Sequence, residues 1–265
     1  MIGLLGVAHP GLLRRRIVVI GLFVLVAALT LAWPPSGRAE ESLRAFTVDS
    51  IMERLILRKQ LHSLREDDYP TFFRWYVPIR LAVVSQDESA RLEVERERIE
   101  PLLDAFRKAT SFDAKLGDYG PDTNVLLIVG QDPQSDIQFY AGKISESANN
   151  PNAIPTLTEQ AQPGSIPCYR TWRFVEGAVE GAVLYAPAPS QDRTLSNKCI
   201  ASNFAALLGL IGTPPDGDTI TNINNQEITF TKGDEAALRV LYDKAFHPHM
   251  TFGAIERTVE QVIAN

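Results

Sequence analysis

The segment Cys199–Gly212, with the sequence CIASNFAALLGLIG, constrains the fold more than any other part of the chain. Its apolar residues recur at spacings of three and four and therefore share one face of a helix: Ile200, Phe204, Leu207 and Leu208. Gly209 or Gly212 supplies the left-handed residue that ends a helix at little cost. The segment therefore predicts a buried helix that stops at a glycine.

The composition allows one sizeable core and an N-terminal extension. The chain has 265 residues, of which 45% are hydrophobic. Its net charge is −6 and no basic stripe is visible in the sequence, so nucleic acid is not expected as a partner. Apart from excluding nucleic acid, charge and length do not indicate which class of partner the protein binds.

The N-terminus has the pattern of an export signal. Arg14–Arg16 precede an apolar run over residues 17–33, and the small residues Gly37 and Ala39 suit signal-peptidase cleavage before Glu40. The run is long for a signal core and close to the shortest length that spans a bilayer, so an uncleaved anchor is the alternative. In that case residues 17–33 make the membrane contact. Both interpretations place the body in the periplasm or outside the cell.

The chain divides into a signal peptide or anchor (1–39), a helical linker (40–70) and a folded domain (71–265). Strands are predicted over 76–84, 124–129, 169–175 and 178–184, and helices over 87–109, 195–210, 233–246 and 256–264. Residues 145–167 contain four prolines and little periodicity, which predicts a loop with room for a short helix. This order of elements predicts an α/β (α+β) domain in which a mixed, twisted sheet packs on helices.

The chain has two cysteines, Cys168 and Cys199. In an oxidising compartment an isolated pair is typical of a disulfide, which here would join a strand to the central helix. The alternative is two unpaired, buried thiols.

Four segments carry a resemblance to a known family. They are Trp75–Arg80 (WYVPIR), Asn124-Val125 before an apolar run, Cys199-Ile200 followed by Leu208–Leu210, and a closing segment with Asp234, Ala237, Leu238, Leu241–Asp243 and Met250. In their order and spacing they resemble the exported, bacterial domain-of-unknown-function family 2927. The same stretch looks like the metzincin-type zinc-peptidase architecture. The resemblance implies a metzincin-like or zincin-like fold for the domain.

The resemblance also locates a degenerate active-site helix. A metzincin carries H-E-x-x-H, in which two histidines one helical turn apart bind zinc and the glutamate is the general base. Alignment on Leu208–Leu210 places Ser202 and Ala206 at the histidine positions and Asn203 at the glutamate position. Serine is a poor zinc ligand, alanine has no ligating atom and asparagine is no base near neutral pH. We therefore expect no bound metal, no cofactor and no enzymatic activity of the usual kind.

A second candidate site lies near the C-terminus, where Asp243, His247 and His249 are close together in the sequence. These residues are one hypothesis for a metal site, and an exposed polar turn is the alternative. The asparagines Asn222, Asn224 and Asn225 lie close together in a polar stretch and are candidates to line a groove.

Three functions follow as hypotheses. The first is an exported, non-catalytic metzincin-like domain that binds a peptide or a protein of the cell envelope, with Ser202, Asn203 and the region 168–185 lining the groove. The second is a hydrolase or peptidase that works without the H-E-x-x-H site, supported by the histidine and asparagine clusters. The third is a structural envelope protein held at the membrane by residues 17–33.

Overall fold

The computed structural model describes residues 43–70, 72–176, 178–222, 224, 228–247 and 249–264. The segment predicted as a signal peptide or anchor, 1–39, lies outside these residues. Within the described residues, every helix is too short or too polar to cross a bilayer.

The core of the domain is a mixed sheet of five strands in the described part of the chain. The strands are β1 (Ile79–Val84), β2 (Ala114–Leu116), β3 (Val125–Gly130), β4 (Tyr169–Val175) and β5 (Ala178–Pro187), in the spatial order β2-β1-β3-β5-β4. β2, β1, β3 and β5 run parallel, and β4 is an antiparallel edge strand on β5, with Tyr169 opposite Tyr185. All residues of β3 are buried, as expected for a strand that helices cover on both faces. The predicted α/β class with a mixed sheet is confirmed.

Helices surround this sheet. They are α1 (Val48–Leu55), α2 (Arg58–Leu61), α3 (Glu88–Val94), α4 (Glu100–Thr110), α5 (Pro133–Phe139), α6 (Ala141–Ala148), α7 (Ala153–Gln160), α8 (Arg193–Leu207), α9 (Lys232–Leu241) and α10 (Phe252–Ala264). A 3-10 turn, Leu43–Ala45, precedes α1, and a π-helical stretch, Glu95–Ile99, joins α3 to α4.

Side chains point alternately to the two faces of each strand, so the sheet contributes residues to two separate hydrophobic cores. Val125, Leu127 and Val129 of β3 pack in the larger core with residues of α1, α4, α8, α9 and α10. Leu126 and Ile128 pack in the smaller core, which α5, α6 and α7 cover. The stretch predicted as a helical linker contributes Ile51, Leu55 and their neighbours of α1 to the larger core.

The predicted central helix is α8, and the sequence placed its core face correctly. Phe204 is fully buried in the larger core. The helix begins at Arg193, two residues before the predicted start at 195, and its cap is Asp192, whose carboxylate accepts from Leu195 N at 2.9 Å. Gly209 has φ +104° and follows its end, and a Cβ at this position would collide with the carbonyl oxygen of Phe73.

The region predicted as a loop with a short helix, 145–167, holds more helix than that. Asn149 closes α6 at φ 44°, and α7, the short helix, starts four residues later at Ala153. The helical linker predicted over 40–70 is not continuous in the described part, because Ile56 is extended, with φ −124° and ψ 141°, and ends α1. The sequence analysis gives no prediction for α5, which begins with Asp132 and Pro133 just after β3.

Candidate functional site

The three positions aligned with a zinc motif lie on α8, where this helix packs on β5. Ala206 is buried, and Ser202 is half-buried with its hydroxyl donating to the carbonyl oxygen of Thr221 at 3.1 Å. Asn203 is 2% exposed. None of these side chains lines any of the four cavities described below. Positions 203 and 206 of α8 are therefore covered by the chain itself, and position 202 is covered in part.

Asn203 connects α8 to the two strands below it. Its Nδ2 donates to the carbonyl oxygens of Tyr169 at 3.3 Å and Tyr185 at 3.2 Å. Its Oδ1 accepts from Nη1 of Arg170 at 3.4 Å. An ionised glutamate or aspartate has no N–H or O–H to give those carbonyl oxygens, whereas an amide has both a donor and an acceptor. The side chain of Asn203 is thus a structural bridge between α8, β4 and β5.

A buried network holds the segment that covers Ser202. The carboxylate of Asp234 is fully buried and accepts from Thr219 Oγ1 at 2.7 Å and from Ile220 N at 2.9 Å. Arg54 of α1 approaches the same carboxylate at 3.6 Å and donates to the carbonyl oxygen of Asp218 at 2.9 Å. Because buried charges are stable only when paired and hydrogen-bonded, this network fixes the segment against α8.

The disulfide predicted between Cys168 and Cys199 is confirmed. The two Cα atoms are 5.3 Å apart and 31 residues apart in sequence. Cys168 directly precedes β4 and Cys199 lies in α8, so the bond anchors the start of the edge strand to the helix.

An aromatic patch lies along β4 on the side of the sheet that faces α8. We use this name for Phe73, Trp172 and Phe174. The ring of Phe73 is 4.8 Å from both Trp172 and Phe174, measured between ring centroids, in edge-to-face geometry. The side chain of Phe174 is 37% exposed, and the guanidinium of Arg170 lies 5.5 Å from the Trp172 ring. Burial lowers the pKa of Arg170.

The outer edge of β4 is partly occupied by side-chain amides. Gln160 at the end of α7 accepts from Arg170 N at 3.0 Å and donates to Arg170 O at 3.0 Å. Asn150 donates to Trp172 O at 3.5 Å. These bonds use the backbone groups of β4 that point away from β5, so the edge is closed at Arg170 and weakly closed at Trp172.

The region 168–185, predicted to line a groove, contains Arg170, Trp172 and Phe174, although the prediction singled out none of the three. They alternate in YRTWRFV, and this alternation is a signal that they share one face. Gln160 and Phe73 carry no comparable signal, because they meet β4 only through the tertiary fold.

The other predicted residues do not come together. His247 and His249 line a cavity of about 220 Å³, whereas Asn222 lines a different cavity of about 630 Å³ beside Pro214 and Pro215. Asn224 is exposed, and Asn225 lies outside the described residues. The carboxylate of Asp243 accepts from Ala245 N at 2.8 Å. Within the described ranges no group of three or more His, Cys, Asp or Glu residues could hold a metal ion.

A further crevice, of about 290 Å³, opens where β1, β3 and β5 end, a common position for ligands in parallel sheets. Its carboxylates serve the fold. Asp87 and Asp132 cap α3 and α5. Asp136 accepts from Gln86 and from the hydroxyl of Tyr185, both at 3.0 Å. Burial and this carboxylate raise the pKa of Tyr185. Because its carboxylates already accept hydrogen bonds from the protein, the crevice is a weaker candidate for a binding site than the β4 edge.

A neighbouring cavity of about 410 Å³ lies beside Gln131 and Gln162.

Comparison with known proteins identifies a family but not an activity. No curated protein and no solved structure matches the chain significantly. One family model matches residues 53–261, which is most of the chain and includes the last turn of α1, the whole sheet and α8. The chain belongs to the family described as Protein of unknown function (DUF2927).

Proposed function

We propose that this domain is an exported, non-catalytic binding module that holds an extended peptide or protein segment of the cell envelope at the edge of β4. The observation that carries the proposal is the aromatic patch on this edge strand, where Phe174 is 37% exposed beside Trp172 and Phe73. Aromatic side chains supply much of the energy of protein interfaces.

The arrangement of β4 and α8 supports a metzincin-like frame. Peptidases of that architecture bind peptide by strand addition along a sheet edge beside the active helix. Here the edge strand is antiparallel to β5, and α8 packs on β5 and is joined to the start of β4 by the disulfide. A peptide strand added to β4 would lie next to the aromatic patch.

The chemistry of α8 supports a non-catalytic role. Ser202 and Ala206 replace the two zinc-binding histidines of the motif, and Asn203 replaces its base. The amide of Asn203 is committed to the carbonyl oxygens of Tyr169 and Tyr185. A catalytic group at this position would have to break that bridge before it could act.

Export is part of the proposal. A disulfide between Cys168 and Cys199 favours an oxidising compartment. Sequencing the N-terminus of the protein recovered from the envelope distinguishes the two forms, because a start at Glu40 means a cleaved signal and an intact 17–33 segment means an anchor. Retention of the protein in the cytoplasm would contradict both.

Site-specific photocrosslinking tests the binding surface. A photoreactive amino acid at position 174 of the exported, full chain should capture an envelope protein or peptide. The matched control is position 139, because Phe139 is a 66% exposed aromatic residue on α5, on the other face of the sheet. Capture at 174 that is absent at 139 supports the proposal. Equal capture at both positions, or none at 174 with a correctly folded protein, counts against it.

A further inference from the structure

A half-buried arginine lines the cavity of about 220 Å³ that contains His247 and His249. Arg74 lies in the segment that leads to β1, and the walls around it are mainly apolar: Phe72, Tyr76, Leu241, Phe246, Met250 and Ile255. Tyr69 stands at the same cavity with 67% of its side chain exposed. The cavity therefore combines one cation with an apolar interior.

The contacts of Arg74 leave one side of its guanidinium unused. Nη1 donates to the carbonyl oxygens of Asp243 at 3.0 Å and Phe246 at 2.8 Å. Nε is buried without a hydrogen-bond partner in the described residues, and Nη2 makes no hydrogen bond to any of them. Nη1 alone thus accounts for the structural bonds, and the Nε–Nη2 side has donors without acceptors.

In the described part of the chain, Arg74 also forms no salt bridge with a carboxylate. Within the described ranges no Asp or Glu oxygen lies within 4.0 Å of its nitrogens. The rings of Tyr76 and Tyr242 lie 4.7 Å and 5.6 Å from its Cζ and, with the more distant carboxylate of Asp243, give partial compensation. Desolvation by burial lowers the pKa of this guanidinium.

We propose that this cavity binds a carboxylate with a small apolar body, which accepts from Nη2 of Arg74. A charged guanidinium N–H is a strong donor to a carboxylate, and Nη2 has no acceptor among the described residues and is not one of the buried nitrogen atoms. The cavity volume suits a group of about the size of one hydrophobic amino-acid side chain. The aromatic and aliphatic walls would bury the body of the ligand, and the exposed Tyr69 would close over it.

Two sources supply this chemistry: a free aromatic or branched aliphatic acid, and the C-terminal residue of a protein. The site is separate from the β4 edge, since its cavity includes neither Trp172 nor Phe174. Its occupation therefore does not depend on peptide binding at the aromatic patch.

Calorimetric titration of the exported protein tests the site with defined probes. The free acids are phenylacetate and 4-methylpentanoate, each compared with its amide. The peptide probe is an acetylated pentapeptide ending in Phe, with either a free or an amidated C-terminus. We expect the acid to bind at least about tenfold more tightly than its amide in one of the two sets. Preference for the free acids identifies a small molecule as the source, and preference for the peptide acid alone identifies a protein C-terminus.

Two variants locate the binding. Arg74→Lys can still donate to the carbonyl oxygens of Asp243 and Phe246 but loses Nη2, so affinity for the acid should fall about tenfold or more. Tyr69→Ala removes an exposed wall residue without disturbing the core and should weaken binding while the melting temperature is unchanged. Equal affinity for acid and amide, no binding of any probe up to about 10 mM, or unchanged acid affinity in folded Arg74→Lys would each overturn the proposal.

Discussion

The side-chain amide of Gln160 pairs with the backbone of Arg170 on both sides, accepting from its N–H and donating to its carbonyl oxygen at 3.0 Å each. These are the two bonds that a residue of a neighbouring strand would make. The edge of β4 is therefore extended by a single side chain from α7. Natural proteins cover edge strands in this way because open edges pair with other chains.

Gln160→Ala should open this edge. We expect amide hydrogen exchange at Arg170 to become about tenfold faster, because a free-energy difference of about 1.4 kcal/mol is tenfold in an opening equilibrium and one hydrogen bond contributes about that much. Glu159→Ala is the matched control, since Glu159 is an exposed neighbour on the same helix. Equal exchange rates at Arg170 in the two variants would show that Gln160 does not protect the edge. If strand addition occurs at β4, Gln160→Ala should also increase crosslinking from position 174.

Asn203→Ala should destabilise the domain by about 2–3 kcal/mol, because it leaves the buried carbonyl oxygens of Tyr169 and Tyr185 without this donor. Ser202→Ala is a suitable control, because it removes one half-buried hydroxyl at the preceding position of α8 and should lower the free energy of unfolding by about 1 kcal/mol. Urea denaturation followed by circular dichroism measures both. A smaller loss for Asn203→Ala than for Ser202→Ala would contradict the bridging role.

Local patterns were sufficient to predict the central parts of the fold. The face of α8 that contains Phe204 and Leu207 was recoverable because helical periodicity depends on neighbouring residues only. β3 was recoverable because a short apolar run is typical of a strand covered on both sides. In both cases the side chains that reveal the element are the ones that it buries.

The absence of α5 from the predictions has a local cause. Asp132 and Pro133 follow β3 and indicate its end, but the same residues are the cap and the first position of α5. The carboxylate of Asp132 accepts from the first N–H groups of the helix, and the N–H that Pro133 lacks is not needed at the first helical position, although a strand would need it. One pair of residues therefore ends one element and begins another.

The candidate sites could not be predicted in the same way. Gln160 and Arg170 are ten residues apart, and Arg74 and Phe246 are 172 apart. Their contacts depend on how α7 lies beside β4 and on where α9 ends, and neither follows from periodicity. Resemblance to the family directed attention to α8 and to positions 202, 203 and 206, but it did not predict the burial of Asn203.

Removal of the disulfide should lower stability by about 3–4 kcal/mol, which is the entropic value for the loop closed by Cys168 and Cys199, 31 residues apart in sequence. Reduction with dithiothreitol and the double variant Cys168→Ser, Cys199→Ser should agree within error in guanidinium titrations. Thiol titration of the unreduced, denatured protein should find no free thiol. Two reactive thiols would show that the bond is absent from the exported protein.

Phe204→Asp should prevent folding, because Phe204 is fully buried and the change places an unpaired charge in the larger core. Phe204→Leu keeps an apolar side chain and should retain the fold with a loss of about 1–2 kcal/mol. Near-ultraviolet circular dichroism and thermal melting distinguish the two. A soluble Asp variant with a cooperative transition would mean that α8 does not pack on the sheet at this position.

Asp87 caps α3, and we expect the stabilisation that its ionised carboxylate provides to be lost in acid. The pKa of Asp87 is lowered, first by the hydroxyl of Ser89 at 2.7 Å and then by the backbone N–H of Ala90. A group with a lowered folded pKa stabilises the protein above its unfolded pKa of about 4, and this contribution is lost as the pH falls through the folded value. Asp87→Asn keeps a capping acceptor but does not titrate. The stability difference between wild type and Asp87→Asn should therefore be constant above about pH 5 and should shrink between about pH 4 and pH 2. A difference independent of pH over that range would mean that the carboxylate of Asp87 is not held by Ser89 and Ala90 in the folded protein.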